Sequence, residues 1–181
     1  TTDLDGDGQS EVIGGNSNGK VYCLGPDGEV RWQYDCGAEV NAVTTVDLAG
    51  DGQTTVIAGA NAGYVVALSA VGEHLWTFEV PYYKRTPHVQ TVFGADLTGD
   101  GGEAVIAGAD SWRYYAIDAD GSELWHYESV HGSTAGAAAD VNADGRDEVI
   151  AGTEYYWWHV VQADSSQLFR VRTAGGPCAN A

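Results

Sequence analysis

Basic residues are scarce in this chain. Lys and Arg number 8 against 26 Asp and Glu, for a net charge of −18, and the only lysines are Lys20 and Lys84. Phosphate recognition needs clustered cations, so nucleic acid and anionic membrane surfaces are excluded as partners. No apolar run reaches the roughly 20 residues of a membrane-spanning helix, which argues against membrane insertion. Methionine is absent and no charged-then-apolar leader is present, as expected of a processed product or a fragment. The three cysteines, Cys23, Cys36 and Cys178, have no metal-ligand spacing. Cys23 falls in an apolar column shared with Ala67, Ala116 and Val160 and reads as a small buried side chain. Cys36 and Cys178 can pair with each other or with another chain. Acidity with so little lysine has two readings, carboxylates gathered in metal loops and the surface of a salt-adapted protein. Both suit an extracellular or cell-surface location.

What the chain has in abundance is repetition. Asp3-Leu-Asp-Gly-Asp-Gly returns as Asp47-Leu-Ala-Gly-Asp-Gly, Asp96-Leu-Thr-Gly-Asp-Gly and Asp140-Val-Asn-Ala-Asp-Gly, at spacings of 44, 49 and 44 residues. Each copy continues into an apolar run ending in glycine, such as Val56-Ile-Ala-Gly. A second strand follows, then a turn at Gly28, Gly72, Gly121 or Ser165, then a third strand around Trp32, Trp76, Trp125 or Phe169. A small-residue strand precedes each later Asp loop, over 40–46, 89–95 and 133–139. Four short strands per repeat, with a turn about every ten residues and no helical period, predict an all-β chain. The expected fold is a β-propeller of four four-stranded blades, about 44 residues each. The expected domain is single, 1–181, with blade one at 1–36 plus 173–181, blade two at 38–80, blade three at 86–130 and blade four at 131–172. Counting from Asp140 through the C-terminus and on to Asp3 again gives 44 residues. The tail Thr173–Ala181 is therefore expected to supply the inner strand that blade one lacks.

The pattern Asp-x-Asp-x-Asp-Gly-x-x-Glu followed by Val-Ile-x-Gly resembles the FG-GAP (integrin-α-like) calcium-binding propeller repeat. The stretch from Gly19 to Trp32, Gly-x-Val-Tyr-x-Leu-x-x-Asp-Gly-x-x-x-Trp, is similar to blades of PQQ-type propellers. The resemblance covers essentially the whole chain and implies a Ca²⁺-binding propeller, while saying little about function. Rings of these families usually hold seven or eight blades. Four leave a small closed ring, a half-ring that dimerises, or part of a larger propeller.

Calcium takes six to eight hard oxygen ligands, which alternating acids in a tight loop supply. Loop one offers Asp3, Asp5, Asp7 and Glu11 with the carbonyl of Gln9. Loop four offers Asp140, Asn142, Asp144 and Glu148 with the carbonyl of Arg146. Loop two keeps Asp47 and Asp51 but has Ala49 and Thr55. Loop three keeps Asp96 and Asp100 but has Thr98 and Ala104, with Glu103 one residue out of register. The middle loops read as turns held by Asp side chains on backbone N–H groups, with weak metal binding at most. An EF-hand is excluded, because position 12 is Gly14 or Ala151 inside a strand. A flexible all-protein carboxylate cage suits Ca²⁺ better than Mg²⁺.

The face opposite the Asp loops is where the repeats differ. Asn16 and Asn18 from blade one lie there. So do Trp112 and Arg113 from blade three and Tyr155, Tyr156 and Trp157 from blade four. The insertion that lengthens the 49-residue repeat adds Tyr82, Tyr83, Lys84 and Arg85. Aromatic rings beside cations fit a glycan or protein ligand, although period-two alternation would bury part of the 155–158 run between blades. His88 and His131 have no visible nucleophile or metal partner and read as polar loop residues. No triad, metal-hydrolase or phosphate-loop pattern is present, and the features of a quinone dehydrogenase are missing. The favoured reading is an extracellular, Ca²⁺-stabilised binding, adhesion or scaffold module, with homo-oligomers or filaments formed by terminal strand complementation. The alternative is the propeller of a polysaccharide lyase or another carbohydrate-active enzyme. A lyase would need Lys84, Arg85, His88 and Arg113 to converge.

Overall fold

Apolar residues alternate with polar ones between glycine turns, and the chain folds into short antiparallel strands with no α-helix among the described residues. The structure is a computed structural model and describes residues 2–174. Blade one contains β1 (Val12–Gly15), β2 (Lys20–Leu24) and β3 (Val30–Asp35). Blade two contains β4 (Val40–Val46), β5 (Thr55–Ala60), β6 (Tyr64–Leu68) and β7 (His74–Glu79). Blade three is β8 (Val89–Ala95), β9 (Ala104–Ala109), β10 (Arg113–Ile117) and β11 (Glu123–Glu128). Blade four is β12 (Ser133–Ala139), β13 (Glu148–Thr153), β14 (Trp157–Val161) and β15 (Gln167–Arg172), with a 3-10 turn at Glu154–Tyr156 before β14. Three sheets are four-stranded meanders and the first has three strands among the described residues.

The inner strands β4, β8 and β12 pack side by side, and β1 packs against β4. Their small residues permit this approach. The second and third strands of blades two and three are the most buried, and the core lies between blades as three apolar clusters. Blade one keeps one residue of an inner strand. Thr2 bridges Glu11 as Val46 pairs with Thr55 and Ala139 with Glu148. Thr173 stays with blade four, its N–H donating to the Tyr156 carbonyl at 2.8 Å. The strand expected from the tail, and the Cys178 half of any disulfide, lie in residues 175–181, outside the described residues. Cys23 and Cys36 are buried thiols, and burial pushes the Cys36 thiol up to about 11.

A tryptophan ties each blade to the next. Trp32 Nε1 donates to the Ala70 carbonyl and Trp76 Nε1 to the Ala119 carbonyl, each at 2.9 Å. The rings lie on Gly72 and Gly121, both at positive φ, where a Cβ would sit within 2.8 Å of ring atoms. At the third seam the turn residue is Ser165, also left-handed (φ 68). Trp125 packs there with its Nε1 buried and unpaired. The last aromatic of the series, Phe169, is 50% exposed, and the first turn, at Gly28, has nothing within 4 Å of its Cβ position.

Candidate functional sites

The four Asp loops share one scaffold. The second oxygen of the first Asp accepts from the N–H of the Gly at position six, between 2.7 and 3.0 Å in Asp3, Asp47, Asp96 and Asp140. These loops differ at position three. In loop one Asp5 faces Glu11, and Asp3, Asp5 and Glu11 bring ligand oxygens within 4.8 Å of one another. Glu11 is 3% exposed. Its Oε2 accepts from the Leu4 N–H at 2.9 Å, while its Oε1 is buried and unpaired. A carboxylate with a buried unpaired oxygen, grouped with two further carboxylates, is a donor set that fits a hard cation. In loop four Asn142 stands where loop one has Asp5. Its amide donates to Glu148 Oε1 at 2.9 Å and to Asp144 Oδ2 at 3.1 Å, bracing the loop internally. Asp7 and Asp144 accept from the N–H groups of Gln9 and Arg146, as Asp51 and Asp100 do from Gln53 and Gly102.

Glu103, out of register for its own loop, belongs to the loop of the preceding blade. Its Oε2 accepts from the Asp47 N–H at 2.7 Å, and its own N–H donates to the Asp47 carbonyl at 2.8 Å. Asp147 repeats this one blade on, accepting from the Asp96 N–H at 3.0 Å and donating to the Asp96 carbonyl at 2.7 Å. These acids latch neighbouring loops together. Thr54 occupies the equivalent position at the first seam, where a cleft of about 560 Å³ opens between loop one and blade two.

On the opposite face the predicted residues form two clusters. Tyr83 lies between cations, with the Arg113 guanidinium 3.6 Å and the Lys84 amine 5.0 Å from its ring centroid. Its hydroxyl donates to Glu128 at 2.9 Å. Arg85 lies over Trp112 at 5.6 Å and pairs with Glu154 at 3.1 Å. His131 bridges the rings of Trp112 and Tyr155, 5.9 and 4.8 Å away. Trp157 carries Arg170 and Arg172 at 4.9 and 6.0 Å. Tyr155, Tyr156 and Tyr82 are exposed. The His88 ring bonds the Asn61 carbonyl through Nδ1, a loop-fixing contact.

Five of the eight basic residues, Lys84, Arg85, Arg113, Arg170 and Arg172, therefore belong to these ring contacts. Arg170 and Arg172 were not anticipated. Two arginines alternating along the one last strand that carries them were the available signal, since period two puts both on one side of a sheet.

Backbone strain collects on this face too. The residue before each of β2, β6, β10 and β14 is left-handed, as Gly19 (φ 81) and Gly63 (φ 86) in blades one and two. Blades three and four place Trp112 (φ 71) and Tyr156 (φ 76) there instead. Each exchange costs about 1–2 kcal/mol relative to glycine. Asp110 opens the same turn in blade three. Burial holds its carboxyl above the usual range, although Gln90 donates to it at 3.0 Å. Asp110 Oδ1 and Glu154 Oε2 each lie 3.3 Å from the Cβ position of Gly132, so the two carboxylates flank one point.

Four radially packed antiparallel sheets, tied blade to blade by tryptophans, define a β-propeller. Solved propellers share the arrangement. A complex of BBS1N with ARL6DN superimposes with a TM-score of 0.76 at 10% identity, over 96% of this chain and 55% of that one. BamB from Moraxella catarrhalis gives 0.66 at 18% identity, over 90% and 46%. Sqt1 from Saccharomyces cerevisiae gives 0.75 at 11% identity, over 90% and 47%. The chain thus spans about half the length of the structures it matches, and at these identities the likeness shows fold alone. No curated protein matches its sequence. The family is shown by sequence: the chain belongs to the lambda-carrageenase β-propeller domain family, whose model matches residues 1–61 and 55–153.

Proposed function

We propose that this chain is a glycan-binding β-propeller of an extracellular carbohydrate-active protein, and that its ligand is an anionic galactan of the carrageenan kind. The observation that carries the reading is the placement of Trp112 and Tyr156 at left-handed positions that blades one and two give to glycine. Strain of this kind persists where a side chain is needed outside the fold. The family supplies the class of ligand. An anionic polymer is compatible with a net charge of −18, because charges beyond about 8 Å are largely screened at physiological salt. The local complement is what a ligand meets, and among the described residues only Arg85 of the five cations is ion-paired.

Affinity electrophoresis and calorimetry with lambda-carrageenan oligosaccharides test the reading. Trp112→Gly and Tyr156→Gly are each expected to raise the melting temperature while weakening binding at least tenfold. Binding at wild-type strength by the double variant, or no binding by the wild type, refutes it. A second reading, catalysis, is favoured by Asp110 and Glu154, since paired carboxylates of unlike environment are the equipment of glycoside cleavage. Reducing-end release from the same oligosaccharides, abolished by Asp110→Asn with binding kept, would establish it.

Calcium in loop one is the structural part of the proposal, supported by the unpaired Glu11 oxygen. Assembly is the other part. The β1 edge is paired only through Thr2 among the described residues, and Phe169 and Gly28 are the two unused halves of the seam that joins the blades. A second copy joined end to end would use both. Mass measured by light scattering at rising concentration tests this, and a monomer throughout refutes it.

A further inference from the structure

At the blade-four end of the aromatic face a cavity of about 90 Å³ is lined by Ser129, Val130, His131, Trp157, His159 and Arg170. That is about three waters' share of liquid volume, too small for a sugar ring and large enough for one exocyclic group. Its inner wall is His159, which pairs across the sheet with Arg170 and is 2% exposed. The Tyr127 hydroxyl lies 2.8 Å from His159 Nδ1 and donates to Gln167 Oε1 at 2.9 Å. A phenol has one proton. Having given it to Gln167, the Tyr127 oxygen can only accept from Nδ1. Burial, and then the charge of Arg170, hold the imidazole below its ordinary value, so the ring is neutral with its proton on Nδ1. Nε2 is then a bare lone pair, buried and unpaired.

A buried acceptor without a donor is rare in folded proteins and asks for a hydroxyl or amide proton. Sulfate oxygens and carboxylates have none to give, so an anionic group alone does not satisfy it. Arg170 and Trp157, which also line the cavity, bring the opposite requirement. Arg170 and Arg172 lie over Trp157, and neither makes an ion pair among the described residues. We propose that this cavity is a hydroxyl-reading subsite for a sulfated sugar, in which a ring substituent donates its proton to His159 Nε2 while a neighbouring sulfate ester faces Arg170 and Arg172. The inference rests on the glycan reading above and adds which part of the sugar each group reads.

The test uses the whole chain with a lambda-carrageenan oligosaccharide and its desulfated counterpart. Long-range ¹H–¹⁵N spectra of the free protein should show His159 protonated at Nδ1 alone. Saturation with oligosaccharide should move the Nε2 resonance upfield, as for a lone pair that has gained a donor. His159→Phe should weaken both oligosaccharides about 5–20-fold, the worth of one buried hydrogen bond, whereas Arg170→Gln should weaken only the sulfated one. An Nε2–H tautomer overturns the proposal, as does an Nε2 resonance unmoved at saturation. If His159→Phe binds as wild type while Trp112→Gly does not, the subsite falls and the glycan face stands. If the wild type binds neither oligosaccharide, both fall. Should His159→Phe not fold, the wild-type spectra decide alone.

Discussion

Loops one and four differ at position three, Asp5 against Asn142, and the proposed need for a cation can be tested by transplanting that difference. In loop one the Asp5 and Glu11 carboxylates face one another within 4.8 Å, with Asp3 completing the group. Asp5 is exposed, so a dielectric between half and full water value applies, and the repulsion between them is ~1–2 kcal/mol. A calcium ion at ten times its dissociation constant adds about 1.4 kcal/mol by mass action. For a chain of this size each kcal/mol moves the melting temperature by about 2–4 °C. Chelation with EDTA after equilibration in about 10 mM CaCl₂, ten times a dissociation constant of roughly 1 mM, should therefore lower it by about 3–6 °C. Asp5→Asn makes loop one a copy of loop four, where the Asn142 amide bonds the Glu148 carboxylate at 2.9 Å. That variant should melt about 2–8 °C above the wild type in EDTA and lose most of its response to calcium. Differential scanning calorimetry with and without metal measures both quantities. An Asp5→Asn protein that is less stable than wild type in EDTA, or that keeps the whole calcium shift, refutes the reasoning.

Ser165→Gly should raise the melting temperature by about 2–4 °C, because it removes a left-handed side chain and lets Trp125 settle as Trp32 and Trp76 do. Gly121→Ala is the converse. Its Cβ would lie 2.8 Å from the Trp76 ring, and a loss of several kcal/mol in denaturant unfolding is expected. Glu103→Ala should cost about 1–2 kcal/mol by freeing the Asp47 end of the latch, while Glu103→Asp should restore most of it, since Asp147 makes the same contact to Asp96 one blade on. His159 has a folded-state value below its ordinary 6.5, so the unfolded chain takes up the proton first and stability falls as pH drops below about 6.5. His159→Phe should flatten the pH dependence of unfolding between about 6.5 and 5.

The sheets were legible because the 44-residue period, the turn glycines and the period-two strands are local features that repeat. The residues acting between blades were not. Glu103 reads as a misplaced calcium ligand when each loop is aligned with itself, and its partner Asp47 lies a whole blade away. The exchange of Gly72 and Gly121 for Ser165 is visible in the repeat alignment. What it does to Trp125 depends on a ring from the blade before. On the aromatic face Trp112, Arg113, Tyr83 and Trp157 were recognisable as unlike their counterparts. His159 was hidden, because its column holds Val66 and Tyr115 in the neighbouring blades and an imidazole in a packed seam looks like filler until its hydrogen bonds are traced.

The proposed calcium loop and the proposed glycan face thus fall on different blades as well as different faces. Among the described residues, the buried side-chain polar atoms without a partner include Trp112 Nε1 and His159 Nε2, which belong to blades three and four at or beneath the aromatic face. Five of the seven left-handed non-glycine residues, Lys84, Trp112, Val130, Tyr155 and Tyr156, lie on that face as well. Unpaired polar atoms and left-handed side chains each oppose folding, so their coincidence is not what packing alone would select. Loop one is the single Asp loop among the described residues with an unpaired buried carboxylate oxygen, which the proposed cation would satisfy. The unpaired groups of blades three and four include an imidazole lone pair and an indole N–H, which a hard cation would leave unsatisfied and the proposed polyhydroxylated ligand would pair.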